Sequence, residues 1–304
     1  MVSISNNFFE NSKFFRCYYL KSFSTIQETK EWLNSLRKEA KTIGFVPTMG
    51  ALHDGHIALI ERAKKENDYT VSSIFVNPLQ FNDKKDLEKY PRTIESDVEK
   101  LQQAHCDALF APNAEEMYPS KPKIPTSDLQ IDLGLLDKIM EGEQRPGHFK
   151  GVCVVVKKLF DIIQPDKAYF GEKDFQQLAI IRHMVRTLNI PVKIVPCPTV
   201  RESDGLAMSS RNIRLTADER KNAPLIYKTM IEAKAMQKSM TVLGLKDWVK
   251  ERINGNPFLK VEYFEIVNAE TLMPVTDNRS PLTVRRACIA VKTGTVRLID
   301  NIPF

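Results

Sequence analysis

Cysteine is scarce in this chain of 304 residues, which contains five. The cysteines stand far apart, at Cys17, Cys106, Cys153, Cys197 and Cys288. An odd number without any close pair argues against a disulfide framework and against a thiolate zinc site. The sequence therefore predicts a reducing compartment, and we expect localisation in the cytoplasm.

Long hydrophobic runs are also missing. Nowhere are there about 18 consecutive apolar residues, the length needed to cross a bilayer, so we expect no transmembrane helix. Residues 1–22 lack a clean apolar run followed by a small-residue cleavage site, which argues against a secretory signal. We expect them to form a poorly ordered N-terminal extension, with an organelle leader as the alternative. The composition, 42% hydrophobic and 27% charged, excludes disorder as the dominant state.

A strong charge of one sign is absent as well. Lys and Arg number 44 and Asp and Glu 38, so the formal net charge is +6. A mildly basic chain suits anionic small molecules as well as nucleic acids. However, basic residues are interleaved with acidic ones, as in 61–66 and 83–86, which is typical of solvated faces. A nucleic-acid-binding protein would carry a basic stripe with stacking aromatics, so we predict no nucleic-acid partner.

Apolar and helix-like segments alternate over residues 23–198. The pattern predicts short strands at 43–46, 69–76, 107–111, 167–170 and 192–195, the first ended by Pro47, and helices at 24–40, 56–66, 94–105, 152–163 and 174–188. Strands this short and apolar are typical of a parallel sheet covered on both faces. We therefore predict an α/β fold with a Rossmann-like, doubly wound parallel sheet, which binds ligands beyond the carboxyl ends of its strands. The irregular, proline-containing stretch 118–151 is typical of a functional loop.

The pattern changes after about residue 200. Thr216 and Glu219 form a capping box at the start of a long helix predicted to reach Ala235, and a further helix is expected at 245–253. Strands follow at 261–267 and 287–298, the latter folded at 292–294. We expect residues 199–304 to form a second, smaller α+β domain that acts as a lid.

Residues 47–56 are the densest chemical signal, since they lie between the first strand and its following helix. Gly50 and Gly55 have the spacing of a P-loop, but His56 and Ile57 replace the required Lys and Ser or Thr, and no G-x-G-x-x-G is found in the sequence. The helix N-terminus still favours phosphate. His53 and His56 can share one face there and donate hydrogen bonds to a phosphoryl group. The alternative is that one imidazole caps the helix and the other packs.

The run Pro47–His56, with its His-Asp-Gly-His, resembles the pantoate–β-alanine ligases of the nucleotidylyltransferase and class I aminoacyl-tRNA synthetase superfamily. Further segments agree in order, over about residue 24 to the end: residues 75–81 (FVNPLQF), 90–93 (YPRT), 145–149 (RPGHF), 169–177 (YFGEKDFQQ) and 201–212 (RESDGLAMSSRN). The resemblance implies an AMP-forming, amide-forming ligase with a pantoyl-adenylate intermediate. It also implies ATP as substrate, Mg2+ held mainly by the ATP phosphates, and a homodimer. Alignment and charge compensation suffice for this chemistry, in keeping with the lack of a Ser-His or Cys-His nucleophile.

The resemblance also assigns residues. It places ATP against Met49, Gly50, Ala51, Leu52, His53, Asp54, Gly55, His56, Gly171, Glu172, Lys173, Asp174, Val200, Met208, Ser209, Ser210 and Arg211. The catalytic group is His53, His56, Lys173, Ser209, Ser210 and Arg211. It gives His56 a proton-donor role, but adenylation needs no proton transfer to pyrophosphate, so we interpret both histidines as hydrogen-bond donors.

The substrate side of the site is expected at two glutamines. Gln80 would hold pantoate and then β-alanine, and Gln177 would hold pantoate, because an amide offers both a donor and an acceptor. Weaker candidates are Asn77, Tyr90, Arg145 and His148. A segment at 208–211 with two hydroxyls and a guanidinium is expected to enclose the β- and γ-phosphates and exclude water.

Two positions depart from the family pattern. Relatives can carry adjacent acids near Asp97, but here Ser96 precedes it, so we assign no metal site to Asp97 and leave open whether a protein carboxylate binds Mg2+. Arg214 stands where an aromatic residue is common, which could alter the packing of the lid. The alternative function is a nucleotidylyltransferase of the same superfamily that acts on a phosphorylated cofactor precursor.

Overall fold

The computed structural model describes residues 20–82, 84–119, 129, 131–277 and 284–304. Its first part, within these ranges, holds the strands β1 (Lys21–Phe23), β2 (Ile43–Thr48), β3 (Tyr69–Ile74), β4 (Ala108–Phe110), β5 (Lys167–Gly171) and β6 (Lys193–Cys197). Between them lie the helices α1 (Ile26–Lys38), α2 (Asp54–Glu66), α3 (Lys84–Glu88), α4 (Ile94–Gln103), α5 (Ala114–Met117), α6 (Glu141–Gln144), α7 (His148–Ile163) and α8 (Phe175–Thr187). Single 3-10 turns occupy Pro78–Gln80, Glu172–Asp174 and Asn212–Arg214.

The six described strands of this part form one sheet in the order β1-β4-β3-β2-β5-β6, and every neighbouring pair is parallel. The chain winds outward from β2 in one direction through β3 and β4 and in the other through β5 and β6. This confirms the predicted doubly wound sheet. The strand order reverses between β2 and β5, and ligands of such sheets bind beyond the carboxyl ends at that point.

Side chains that alternate along the strands build a core on each face of the sheet. Phe45 packs in one core with Phe160 of α7, whereas the next residue, Val46, packs in the other with Ile60 of α2 and Leu101 of α4. All five are essentially inaccessible to solvent. Burial on both faces explains why these strands read as continuous apolar runs in the sequence.

The second part follows as α9 (Ala217–Asn222), α10 (Leu225–Met236), α11 (Val242–Asn254), β7 (Lys260–Asn268), β8 (Arg285–Thr293) and β9 (Val296–Pro303). Its three described strands are antiparallel in the order β7-β8-β9, and a separate apolar core fills the space beneath α10 and α11. The turn of the β8–β9 hairpin contains Gly294, as the sequence predicts. No helix in the described ranges is long and apolar enough to cross a membrane.

The structure corrects three boundaries. Leu20 is buried and Lys21–Phe23 pair with β4, so residues 20–22 belong to the sheet; residues 1–19 of the predicted extension lie outside the described residues. Pro47 does not end β2, which continues to Thr48. Pairing with β5 stops at Phe45, so no neighbour on that side requires the missing N–H of Pro47.

The third correction concerns the predicted helix from Thr216 to Ala235. The capping box of Thr216 and Glu219 is present, but α9 ends at Asn222 and α10 begins after Pro224. Proline supplies no N–H and its ring clashes with the preceding turn, which breaks the helix. The loop at 118–151 is also shorter than predicted, because α6 lies within it and α7 begins at His148; residues 120–128 and 130 of that stretch lie outside the described residues.

Candidate active site at the point where the strand order reverses

His53 and His56 form a capping box at the start of α2. The imidazole Nδ1 of His53 accepts a hydrogen bond from the Gly55 N–H at 3.1 Å, and Nδ1 of His56 accepts one from the His53 N–H at 3.3 Å. The ring centroids are 4.1 Å apart. A Cβ at Gly55 would lie 2.8 Å from the His53 ring, so only glycine permits this arrangement. The sequence leaves open whether the pair caps the helix or serves chemistry, and the capping contacts use only Nδ1.

These contacts determine where the two imidazoles carry a proton. An Nδ1 that accepts a hydrogen bond leaves the hydrogen of the neutral ring on Nε2. Burial, with the nearby charges of Lys173 and Lys100, lowers the pKa of His53 to about 4, and burial, with His53 beside it, lowers the pKa of His56 to about 3. Both rings are therefore neutral near pH 7 in the free protein, and each keeps an Nε2–H donor.

Asp97 of α4 holds the loop that precedes α2. Its buried carboxylate accepts hydrogen bonds from the N–H groups of Ala51 at 2.9 Å and Leu52 at 2.7 Å, and from the Thr93 hydroxyl at 3.2 Å. Lys100 donates to the Leu52 carbonyl at 2.6 Å. The amides of Ala51 and Leu52 are thus engaged with α4 and are not directed at the cavity. This carboxylate acts as a clasp for the loop.

The loop after β5 lies opposite, and the second domain holds it in place. Asn301 of β9 donates from its amide to the carbonyls of Glu172 and Lys173, at 2.9 and 2.8 Å. Arg286 of β8 donates to Asn301 Oδ1 and to the Glu172 carboxylate. Asp174 occupies the N-cap position of α8, but its carboxylate makes no capping hydrogen bond.

Gln80 is buried beneath the first loop. Its Nε2 donates to the Met49 sulfur at 2.8 Å, and its Oε1 accepts from Asn77 Nδ2 at 3.1 Å. Asn77 is tied in turn to the Tyr118 hydroxyl and to the Gly151 carbonyl. A thioether is a weak acceptor, so a substrate carboxylate would displace it readily from the Gln80 amide.

Arg145 and His148 hold the backbone of Gln80. His148 Nδ1 donates to the Gln80 carbonyl at 2.7 Å, Arg145 donates to the same oxygen at 3.3 Å, and His148 Nε2 accepts from Arg145 at 3.0 Å. Burial, reinforced by the adjacent guanidinium, lowers the pKa of His148 to about 4, so this ring is also neutral. Three of the four weaker candidates of the sequence, Asn77, Arg145 and His148, are thus brought together with Gln80.

Two neighbouring glutamines on α8 face different surroundings. Gln176 is buried and donates to the carbonyls of Leu136 and Ile139, whereas Gln177 borders the cavity. Val200 also borders it, with its carbonyl already accepting from the Met208 N–H at 3.0 Å. The choice of Gln177 over Gln176 as the substrate residue is consistent with these positions, and its role stays a prediction.

The segment 208–211 lies across the opening. The Ser210 hydroxyl is 3.2 Å from the hydroxyl of buried Tyr90, and Ser209 Oγ accepts from the Arg211 N–H. The Arg211 guanidinium donates to Asp86 at 3.1 Å and lies 5.9 Å from the Tyr90 ring. The prediction of a solvated face at residues 83–86 is wrong at Asp86, because its carboxylate is half-buried and paired.

These groups border a cavity of about 220 Å³. Its lining includes most of the predicted site residues: Met49, His53, Gly55, His56, Gln80, Gly171, Lys173, Asp174, Gln177, Val200, Met208, Ser209, Ser210 and Arg211. Five predicted residues are not part of this lining: Gly50, Ala51, Leu52, Asp54 and Glu172. A second cavity of about 360 Å³ shares Lys173, Ser209 and Arg211 and extends between the two domains.

Sequence reasoning missed four residues that shape the site: Asp86, Glu141, Arg286 and Asn301. Glu141 pairs with Arg297 of β9 at 2.6 and 2.7 Å and accepts from the Tyr263 hydroxyl, which joins the loop before α7 to the second domain. Each of the four acts on a residue far away in the sequence. The acidic and basic residues that alternate around Asp86 predict a solvated face and gave no sign of its pairing. No local sequence pattern predicts the contacts of Glu141, Arg286 and Asn301.

Comparison with known proteins agrees with this geometry. The family model described as pantoate-beta-alanine ligase matches residues 21–303. The pantothenate synthetase of Porphyromonas gingivalis is 51% identical over 286 residues, covering 94% of this chain and 99% of that protein. The one from Bacteroides thetaiotaomicron is 50% identical over 285 residues, with the same coverage.

Solved structures match as well. The crystal structure of pantothenate synthetase from Thermus thermophilus has a TM-score of 0.85 and 43% identity, and covers 93% of this chain and 99% of its own. The Francisella tularensis pantoate-beta-alanine ligase, described as a complex with beta-gamma ATP and β-alanine, has a TM-score of 0.78 and 37% identity, over 94% of this chain and 98% of its own. The chain belongs to the pantoate–β-alanine ligase family.

Proposed function

We propose that this ligase joins pantoate to β-alanine in two steps within the 220 Å³ cavity. In the first step a pantoate carboxylate oxygen attacks the α-phosphorus of ATP, and the bond to the β-phosphate breaks to release pyrophosphate. In the second step the neutral amine of β-alanine attacks the acyl carbon, loses a proton, and expels AMP. Adenylation is needed because a carboxylate has no leaving group better than oxide.

The observation that supports this proposal most strongly is the neutral histidine pair at the amino end of α2. Its two Nε2–H groups, the helix dipole, Lys173 and Arg211 border one cavity and can compensate the charge that develops on the phosphates. No side chain need form a covalent bond. The protein supplies alignment and a preorganised set of donors.

The two glutamines suit the acyl side of the reaction. Gln80 would release the Met49 sulfur and donate to the pantoate carboxylate, while its Oε1 can accept from a hydroxyl or an amine. Arg145 and His148 would fix the peptide of Gln80 during both steps. Ser209, Ser210 and Arg211 would enclose the β- and γ-phosphates and limit hydrolysis of the acyl adenylate.

We propose that Mg2+ enters with ATP and is held by phosphate oxygens. Asp97 is engaged with the loop before α2, and Glu172 with Arg286. The described residues contain no group of three or more His, Cys, Asp or Glu side chains able to hold a metal ion. The ion would supply positive charge to the departing pyrophosphate.

Two further features are proposed on indirect support. A homodimer rests on the resemblance to the family, and light scattering of the purified chain tests it. Cytoplasmic localisation is supported by the four described cysteines, Cys106, Cys153, Cys197 and Cys288, which are buried free thiols.

An isotope experiment tests the reaction. Pantoate labelled with 18O in the carboxylate is incubated with the protein, ATP, Mg2+ and β-alanine, and the products are identified by mass spectrometry. We expect pantothenate, AMP and pyrophosphate in equal amounts, with one labelled oxygen in each AMP. Formation of ADP would indicate transfer of the γ-phosphoryl group and would contradict the proposal. A final product that contains the nucleotide would also contradict it and would favour the nucleotidylyltransferase alternative.

A further inference from the structure

One carboxylate outside the smaller cavity of about 220 Å³ pairs with two arginines of the segment 208–214. Asp86 of α3 accepts from Arg211 at 3.1 Å through Oδ2 and from Arg214 at 2.9 Å through Oδ1. The three side chains are between 22% and 28% exposed, so the pairs are partly shielded from water. Partial burial alone would raise the pKa of Asp86, but the two guanidinium groups lower it below its ordinary value, so the carboxylate is ionised near pH 7.

Asp86, Arg211 and Arg214 differ in which of the two cavities they border. Arg211 borders both cavities, whereas Asp86 and Arg214 border only the larger one. The Arg211 guanidinium is therefore between the phosphate-binding groups of the smaller cavity and a carboxylate on the far side. The next residue, Asn212, donates from its amide to Glu202 at 3.0 Å and to the Ala207 carbonyl at 3.1 Å. The backbone is thus anchored, and the Arg211 side chain can change partner without movement of the whole segment.

A carboxylate and a phosphate offer the guanidinium group the same kind of bidentate acceptor. We propose that Asp86 is an internal counter-ion that competes with the ATP phosphates for Arg211, and that Arg214 sets the strength of this competition. This inference rests on the proposed function, since it requires the phosphates to lie in the smaller cavity. Asp86 and Arg214 are positioning residues, because they act on the substrate through Arg211.

The two ion pairs of Asp86 determine whether each substitution strengthens or weakens ATP binding. When Arg211 turns to the phosphates, Asp86 keeps Arg214, and no buried carboxylate is left without a partner. Without Arg214, the same carboxylate would hold Arg211 more tightly, because release would leave it unpaired. Without the charge of Asp86, Arg211 would be free for the phosphates.

Calorimetric titration with Mg-ATP, in the absence of pantoate, measures the competition directly. We expect Asp86→Asn to lower the Kd for ATP about three- to tenfold and Arg214→Ala to raise it by a similar factor. In the double variant Asp86→Asn/Arg214→Ala, the Kd should equal that of Asp86→Asn alone. The inhibition constant of pyrophosphate should change in parallel, because the same guanidinium group binds it.

The controls separate this inference from the function on which it rests. Thermal unfolding shows that each variant folds, and Asp86→Ser provides a second removal of the charge. If Arg211→Ala leaves the Kd for ATP unchanged, the assignment of the phosphate site fails. If Arg211→Ala weakens ATP binding but Asp86→Asn and Asp86→Ser weaken it too, only the counter-ion role is overturned. An Arg214→Ala effect that persists in the Asp86→Asn background also overturns it.

Discussion

We propose that the two histidines at the start of α2 combine a structural and a chemical role on different atoms of the same ring. Each Nδ1 satisfies a backbone N–H that a helix N-terminus would otherwise leave unpaired. Each Nε2–H takes no part in these capping contacts and would be the donor to the phosphates. Because burial keeps both rings neutral, the pair can stabilise phosphate charge without a change of protonation during adenylation.

Replacement of His56 separates these roles. We expect His56→Ala to lower the rate of pantoate-dependent ATP–pyrophosphate exchange about 10²- to 10³-fold, the loss typical of a missing transition-state donor. His56→Gln should retain more activity, since a glutamine at this position can accept from the His53 N–H, as in an ordinary capping box, and still donate from its amide. A His56→Ala enzyme with near-full exchange would remove His56 from the mechanism. A cooperative thermal unfolding transition in both variants, lowered by no more than the loss of one helix cap explains, is the control for folding.

Local sequence predicted the residues of the site better than their contacts. The spacing of His53 and His56 predicts two donors on one helix face, and both border the cavity. The clasp formed by Asp97 joins residues more than forty positions apart, and no periodicity reveals such a pair. The same holds for Asn301, whose amide donates to the Glu172 and Lys173 carbonyls because β9 packs against the turn Glu172–Asp174.

At the scale of elements, the amino end of α7 positions the segment that contains Gln80. Arg145 and His148 bind its carbonyl, and the Gly151 carbonyl accepts from Asn77. The helix packs so closely that a Cβ at Gly151 would overlap the Leu79 carbonyl and lie 2.9 Å from the Gln80 nitrogen. The obstructing atoms belong to the backbone and cannot rotate away.

Gly151→Ala should therefore displace Gln80. We expect the KM for pantoate to rise at least about tenfold and the Kd for ATP to change little, because α7 does not carry the nucleotide loops. Steady-state kinetics and calorimetry measure the two quantities. Gly244→Ala in α11 is the matched control, since its nearest neighbours are side-chain atoms at 3.2 and 3.5 Å. Equal changes in pantoate and ATP binding would argue against a specific effect on Gln80.

The same helix shows why some element boundaries escape prediction. Its apolar period predicts the part from Val152 to Ile163, but α7 begins at His148. The residue before the helix is Gly147, which is in a left-handed conformation and offers no side chain to cap the helix. The first turn is therefore stabilised by the contact of His148 with Gln80, which lies far away in the sequence. Similarly, β2 continues past Pro47 because of tertiary contacts, although the local preference of proline predicts that the strand ends there.

For the whole molecule, three neutral histidines link stability to pH: His148 is buried, and His53 and His56 are partly buried. The pKa values of His53, His56 and His148 lie at about 4, 3 and 4, below the ordinary value of 6.5. Between these values the unfolded chain binds more protons than the native one. The stabilising contribution is therefore complete above pH 6.5 and is lost as the pH falls toward 4.

We expect the free energy of unfolding to fall between about pH 6.5 and 4.5, by up to about 1.4 kcal/mol per pH unit for each of these histidines. Urea titrations at several pH values measure it. His148→Gln should reduce the slope, because one proton fewer is taken up on unfolding. The unsubstituted chain, measured in the same titrations, is the control. An unchanged slope in His148→Gln would show that this ring does not titrate as its burial implies.

The two domains are joined by a buried ion pair beside the active site. Glu141 and Arg297 exchange two hydrogen bonds, Tyr263 donates to the same carboxylate, and Met140, Phe175 and Cys288 pack around them. Arg297 also pairs with Glu262. Together with Asn301 and Arg286, these contacts fix the second domain against the loops that carry Lys173 and Arg145.

Breaking this pair from one side should destabilise the whole chain. Arg297→Met leaves a buried carboxylate without its cation, which costs about 3–5 kcal/mol. The double variant Glu141→Gln/Arg297→Met removes the orphaned charge and keeps an acceptor for the Tyr263 hydroxyl, so we expect it to recover most of the loss. Denaturant midpoints of the three proteins measure this difference. Lys292→Met, which removes a 59% exposed partner of Glu262, is the control and should cost less than about 1 kcal/mol. A double variant no more stable than Arg297→Met would mean that packing, and not charge, holds the domains together.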